Sequence, residues 1–334
     1  MHTYVMEWLE CPACHDHLDW VNVEQSANRI ETADAHCRKC AAVYPVRDGI
    51  GVFLLPELPR NDLWEQVDSG LIRYLREHPD VERHLMTSPL EELSPADQFF
   101  RALVLEEQGD YATAKAIQES ANESLYSPEY RHCWNSQVDY VTEWLSAAEG
   151  PIVDLASGRG YLVEKLIRRL PWPIVVTDFS PRVLRRDRRW LESFGAYDRV
   201  SLLAFDARRT PFRNGAVKTL TTNLGLPNIE SPGSLLAELR RISSGPFLAI
   251  SHFYPEDDET NRQAIREAGL ETLLYRRTAL GCFAEAGWKV EVRNACVGKA
   301  RPTPTSVVLE GAQIDSLPVA ETTLEWCVVL ATGS

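Results

Sequence analysis

The sequence predicts an α/β protein: a mostly parallel, doubly wound sheet whose last strand is antiparallel, preceded by a cysteine-rich module and a helical insert. Three observations carry this reading. From residue 151 short apolar runs alternate with amphipathic helical patterns, as in sheets covered by helices on both faces. Two Cys-x-x-Cys pairs, Cys11/Cys14 and Cys37/Cys40, stand near the start. Between these regions Ser-Pro and Asp signals open one helix after another. The expected division is 1–58, 59–150 and 151–334.

The chain has 334 residues, 44% hydrophobic and 25% charged, an ordinary balance for a globular protein of one large and one smaller unit. No run approaches the roughly 20 apolar residues that span a bilayer, so no membrane partner is expected. The first residues lack the basic and apolar regions of a signal peptide. The cytoplasm is therefore the expected compartment, with cysteines reduced or metal-bound. Of the net charge of −13, residues 1–60 hold five basic and nine acidic groups, 61–150 hold six and 18, and 151–334 hold 24 and 21. The acidic load sits in the helical segment, which disfavours broad nonspecific nucleic-acid binding.

In residues 1–58 the two cysteine pairs are separated by 22 residues. Four thiolates in two such turns suit tetrahedral zinc, and a closed four-cysteine site has no open coordination position, so the metal is read as structural. Unligated or disulfide-bonded cysteines, or an iron–sulfur centre, are the alternatives. His15, His17 and His36 lie nearby and are expected on the surface. Strands at 18–23 and 42–55 are too short for a core of their own, and metal binding would supply the missing stability.

Residues 59–150 read as helical. Ser94-Pro95 opens a helix that Gly109 closes, Asp110 caps the next, and Ser127-Pro128 opens a third running toward Gly150. Tyr130, His132 and Trp134 on the third could approach a bound ligand. Core packing is the expectation for any one of them. A helical lid on the following domain is preferred over a separate peptide-binding module.

The stretch 151–161 is the centre of the chain. Ile152, Val153 and Leu155 form a buried strand, a small-residue turn runs from Ala156 to Gly160, and Leu162, Val163, Leu166 and Ile167 share one face of the next helix. A strand turning through glycines into a helix lets a ligand touch bare backbone. The full Gly-x-Gly-x-x-Gly spacing is absent, since the third position is Val163. Asp154 lies inside the apolar strand, where an unpaired carboxylate is costly. A second acid, Asp178, ends the next strand at 174–177, followed by Phe179, at the distance of an acid that grips ribose hydroxyls.

Ser180-Pro181 then caps a helix to Gly195, with Arg182, Arg185, Arg186 and Arg189 gathered on one face. A solvated face is preferred for this stripe over phosphate docking. Strands at 200–205 and 217–222 end in Asp206-Ala207 and Asn223. Ser231-Pro232 opens another helix. A strand at 247–251 leads into His252 and Tyr254. A helix and strand follow around 283–292, and 307–309 and 326–330 offer a last antiparallel strand. Cys133, Cys282, Cys296 and Cys327 stand in apolar settings and are read as packing residues.

These motifs resemble those of class I S-adenosylmethionine-dependent methyltransferases. Asp154-Leu-Ala-Ser-Gly158-Arg-Gly160 matches the family's strand-Asp-x-Gly-x-Gly-x-Gly motif, with Ala156 in place of the first glycine. The resemblance implies a Rossmann-like fold and S-adenosylmethionine as cofactor. Its site would be Asp154, Ala156, Gly158 and Gly160 beneath the cofactor, Asp178 and Phe179 at the ribose, Asp206 and Ala207 at the adenine, and Asn223 beside the transferred methyl. The loop at 223–228 lacks the Asn/Asp-Pro-Pro-Tyr signature of adenine-N6 or glutamine methylation. His252 and Tyr254 are the candidates for a general base. Residues 7–55, with both cysteine pairs, resemble the small zinc-ribbon proteins that activate methyltransferases and the zinc module of large-subunit rRNA guanine-N1 methyltransferases. A small-molecule acceptor is preferred. An rRNA or tRNA base is the first alternative, and a non-catalytic binding scaffold the second.

Overall fold

A computed structural model describes residues 1–58 and 63–333 of the chain. The helical expectation for 59–62 and the end of the last domain at residue 334 lie outside the described residues. After a 3-10 turn, Thr3–Trp8, the chain forms β1 (Leu18–Ser26), β2 (Arg29–Cys37), β3 (Val43–Arg47) and β4 (Ile50–Val52), each antiparallel to the one before. Strand β2 is not legible in the sequence. Its inward positions include Ala33 and Ala35, both fully buried but too small to give a strong apolar alternation.

Five helices follow: α1 (Leu63–Glu77), α2 (Pro79–Thr87), α3 (Pro95–Glu107), α4 (Tyr111–Leu125) and α5 (Pro128–Ser146). The expected caps are in place. Ser94 accepts the Asp97 amide at 3.1 Å, Asp110 accepts that of Thr113 at 3.2 Å, and Ser127 accepts that of Tyr130 at 3.1 Å. Each satisfies an amide that the first helical turn leaves without a partner.

The alternating region gives β5 (Ile152–Asp154), α6 (Tyr161–Arg169), β6 (Ile174–Asp178), α7 (Pro181–Ser193), β7 (Val200–Ala204), β8 (Leu220–Asn223), α8 (Pro232–Ile242) and β9 (Phe247–Phe253). Then come α9 (Glu259–Glu267), α10 (Glu271–Leu274), α11 (Arg276–Glu285), β10 (Trp288–Ala300) and β11 (Thr322–Gly333). The last antiparallel strand is β11, which lies between β9 and β10. The segment at 307–309 is not a strand. There the buried Asp97 carboxylate accepts the Ser306 hydroxyl and the amides of Val307 (3.2 Å) and Val308 (3.1 Å), folding the chain into a turn over α3.

Among the described residues one sheet runs in the order β1-β2-β3-β4-β7-β6-β5-β8-β9-β11-β10. The cysteine module is thus continuous with the parallel sheet: β4 pairs parallel with β7, Ile50 opposite Leu202 and Val52 opposite Ala204. Its apolar residues share a core with the rest. Val5, Leu9 and Phe53 pack in one cluster with Val153, Leu203, Phe212 and Phe247. The strands therefore draw stability from the large sheet as well as from any metal. The strand order reverses at β5, where β6 leaves on one side and β8 on the other. That crevice is where open α/β sheets bind ligands.

Ion pairs tie the helical insert to this domain. Glu106 pairs with Arg159 at 2.6 Å, Glu107 with Arg182 at 3.1 Å, and Lys115 with Glu164. The arginine stripe of α7 is accordingly divided. Arg182 meets Glu107, and Arg186 donates to the Gly158 carbonyl at 2.9 Å and to Asp187 at 3.0 Å. Arg185 and Arg189 remain exposed.

Candidate active site

Asp154 closes β5 with 1% of its surface exposed. Its Oδ1 accepts the Thr221 hydroxyl from β8 at 2.6 Å. Burial pushes its pKa up to about 6, with a smaller push from Asp178. Its carbonyl accepts the hydroxyls of Ser157 (3.0 Å) and Thr177 (2.9 Å), so the turn after β5 is tied to β6. Within that turn φ is +50° at Ala156, +53° at Gly158 and +72° at Gly160. The left-handed value at 156 explains why glycine suits that position, because alanine there is strained. Ala156 also touches the next crossover loop: a Cβ at Gly225 would lie 2.7 Å from the Ala156 Cβ.

Asp178 ends β6. Its Oδ2 accepts the Gly158 amide at 3.0 Å and its Oδ1 the Ser180 amide at 2.9 Å. Asp154, the glycine turn and Asp178 therefore form one hydrogen-bonded unit at the carboxyl ends of β5 and β6. Phe179 is half-buried beside it. Asp206 is buried after β7, and its carboxylate is held by the Arg208 guanidinium, with Nη2 to Oδ2 at 2.6 Å and Nε to Oδ1 at 3.0 Å. An adenine amino group at Asp206 would share that carboxylate with Arg208, an arginine that sequence reasoning did not single out. Ala207 is buried next to it.

Asn223 ends β8 and accepts the Trp134 indole N–H of α5 at 3.1 Å. Trp134 stands edge-on to Tyr161, the first residue of α6, with ring centroids 5.3 Å apart. Trp134 thus bridges the helical segment and the site, whereas His132 on the same helix is exposed. His252 and Tyr254 lie at the end of β9, apart from the Asp154–Asp178 unit. The His252 ring is 5.0 Å from Trp326 and 5.7 Å from Tyr254. Burial lowers the His252 pKa to about 4, so the imidazole is neutral near pH 7, and its Nδ1 has no partner among the described residues. The Tyr254 phenol is pushed up by burial and stays protonated, which makes it a donor rather than a base. Ser157, Thr177, Thr221 and Trp326 were not singled out in the sequence. The buried threonines of β6 and β8 carried only a weak signal, polar residues within apolar strands.

The four sulfur atoms of Cys11, Cys14, Cys37 and Cys40 lie within 4.8 Å of one another, with Cys11–Cys40 at 3.5 Å and Cys14–Cys37 at 3.4 Å. Zinc–sulfur bonds of about 2.3 Å place tetrahedral ligands about 3.8 Å apart, so the donor set fits that ion. His15 bonds Glu10 instead, and His36 is exposed.

The doubly wound sheet, the glycine turn and the acids at successive strand ends define the class I methyltransferase fold. Residues 152–244 match the family described as a methyltransferase domain. The ubiquinone/menaquinone biosynthesis C-methyltransferase UbiE of Paracoccus denitrificans is 23% identical over 196 residues, covering 45% of this chain and 78% of that one. Among solved structures, the YcgJ protein of Bacillus subtilis is similar with a TM-score of 0.47 and 13% identity, over 60% of this chain and 98% of that one. Geranyl diphosphate C-methyltransferase of Streptomyces coelicolor is similar with a TM-score of 0.44 and 15% identity, over 60% and 76%. Residues 152–244 thus form a methyltransferase domain, in a chain that also carries an N-terminal four-cysteine cluster. No described helix is long and apolar enough to cross a membrane.

Proposed function

We propose that this chain methylates a small molecule bound over the carboxyl ends of β8 and β9, with S-adenosylmethionine over β5, β6 and β7. When bound, S-adenosylmethionine supplies a sulfonium methyl already activated for in-line displacement. The chain's own residues then have to orient the acceptor and exclude water. Asp178 accepts the ribose hydroxyls, its oxygens already aligned by the Gly158 and Ser180 amides. Gly158 and Gly160 allow close backbone approach, and Asp154 fixes the turn from below. Asp206 and Ala207 face the adenine, with Arg208 holding the carboxylate in place. Asn223, oriented by Trp134, stands beside the methyl. His252, neutral and with an open nitrogen, takes a proton where the acceptor must lose one.

The observation that carries the small-molecule reading is the enclosure of this end of the sheet. Trp134, Tyr254 and Trp326 lie inside it, Trp326 with no exposed surface. Two of the four arginines that would have met a phosphate backbone are, moreover, already engaged, Arg182 by Glu107 of α3 and Arg186 by the Gly158 carbonyl and Asp187. We further assign zinc to the four-cysteine cluster as a structural ion, and residues 1–58, 59–150 and 151–334 to ribbon, lid and catalytic units.

Incubation of zinc-loaded protein with isotopically labelled methyl donor and cell extract tests the reading, with metabolites and RNA scored separately. Label in a low-molecular-weight product is expected. Label confined to RNA would replace the acceptor class. Donor binding without transfer to either fraction would favour a binding scaffold.

A further inference from the structure

We propose that the acceptor carries a positive charge, an ammonium or similar organic cation, and that Asp315 receives it. This rests on the methyl-transfer reading and specifies the substrate class of that site. The segment between β10 and β11 crosses back over the helical insert. Its turn is anchored on Asp97, its Arg301 donates to the Ser124 carbonyl at 3.1 Å, and its Val319 amide donates to Asn261 at 2.8 Å. Held at both ends, it places Asp315 against Tyr126, whose hydroxyl donates to the carboxylate at 2.8 Å. Among the described residues no lysine, arginine or histidine pairs with Asp315. A half-buried carboxylate with one neutral donor is under-compensated, and burial raises its pKa accordingly.

The missing positive charge has a suitable setting. Tyr126 and Tyr130 stack at 4.8 Å, and Tyr130 meets Trp326 edge-on at 4.8 Å. Trp326 and Tyr254 both neighbour His252. Tyr126, which holds Asp315, is thus linked through Tyr130 and Trp326 to His252, so the carboxylate stands at one end of a continuous row of rings. Aromatic faces attract cations, most strongly where water is excluded. His252, neutral here, cannot supply the charge. The Trp326 indole N–H and the His252 Nδ1 have no partner among the described residues, two further polar atoms that a ligand would satisfy. One turn along α5 from Tyr130, Trp134 reaches Asn223, which places the enclosure next to the position proposed for the methyl. The cationic group is a handle; the atom methylated is a different one that keeps its lone pair.

The test compares choline with its uncharged isostere 3,3-dimethyl-1-butanol, titrated into the full, zinc-loaded chain with S-adenosylhomocysteine present. Choline is expected to bind about 10-fold more tightly. Asp315→Asn, which keeps an oxygen for the Tyr126 hydroxyl, is expected to abolish that preference, and Tyr126→Phe to retain it. Equal binding of the two probes, a preference that survives Asp315→Asn, or no binding of either overturns the proposal. The affinity for S-adenosylhomocysteine, read in the same titrations, is expected to be the same in wild type and Asp315→Asn. Its absence in the wild type would refute the methyl-transfer reading itself, whereas its presence without a charge preference refutes only the cation site.

Discussion

The substitution Asp154→Asn is expected to make the protein more stable at neutral pH. The carboxylate is buried to 1% exposure and its pKa rises from 3.8 to about 6. Because the folded value lies above the unfolded one, the stabilisation is fully present below about pH 3.8 and is lost as pH rises through about 6. A rise of that size corresponds to about 3 kcal/mol against the folded state at pH 8. The amide introduced by the substitution would keep an oxygen for the Thr221 hydroxyl and offer its N–H to Ser157, so the hydrogen bonding survives. Urea unfolding of wild type and variant at pH 4.5, 6 and 8 measures the effect. Taking the difference between the two proteins cancels the titration of every other group, the cysteine cluster included. The variant's advantage is expected to grow with pH and to level off above about pH 7. An advantage that stays constant with pH, or a loss at pH 8, would refute the argument that an ionised carboxylate is buried at the end of β5.

Three further outcomes are expected. Asp178→Ala removes the acceptor proposed for the ribose hydroxyls and should weaken S-adenosylmethionine binding by about 10- to 100-fold in calorimetry; unchanged affinity would contradict the proposed cofactor site. Ala156→Gly relieves a left-handed alanine at about 1–2 kcal/mol but adds freedom to the unfolded chain, leaving a gain of roughly 0.5 kcal/mol in denaturant unfolding. Chelation of the zinc proposed for the cysteine cluster should lower Tm by about 5 °C or more in a single transition, because β4 is hydrogen-bonded into the large sheet. A separate early transition with the main one unmoved would show that the cysteine module unfolds independently.

The catalytic sheet was legible because its strands are short continuous apolar runs and its helices begin at Ser-Pro or Asp caps. Ser94, Asp110, Ser127 and Ser180 all accept the amide expected of them. Ser231-Pro232 opens a helix too, yet Ser231 adopts φ +55° with no side-chain cap, so the dipeptide signalled the start but not its geometry. The positions of Asp154 and Asp178 followed from acids placed in or at the end of apolar runs, and they do meet across the glycine turn. The hold of Arg208 on Asp206 was not readable, since nothing in a local pattern says which of several arginines turns back onto a carboxylate two residues away. Asp315 was invisible for a stronger reason. It lies in a segment without periodicity, and its surroundings, Tyr126 after α4, Tyr130 on α5 and Trp326 on β11, are brought together only by the tertiary fold.

The sheet carries buried acids on one side and is braced on the other. Asp154 and Asp187 both have raised pKa values, to about 6 and about 7, and each is an uncomfortable charge next to the glycine turn or on α7. Groups of this kind cost stability where function needs them. On the other side of the parallel strands, β4 adds three register pairs to β7, and the Phe53 amide donates to the Ala204 carbonyl at 2.7 Å, two residues before Asp206. The four-cysteine module fixed to that strand braces the edge of the sheet from which Asp206 projects. It would otherwise be an open edge with unpaired backbone groups. The four-cysteine module is thus joined by backbone pairing to the strand that leads into Asp206, the residue proposed to face the adenine.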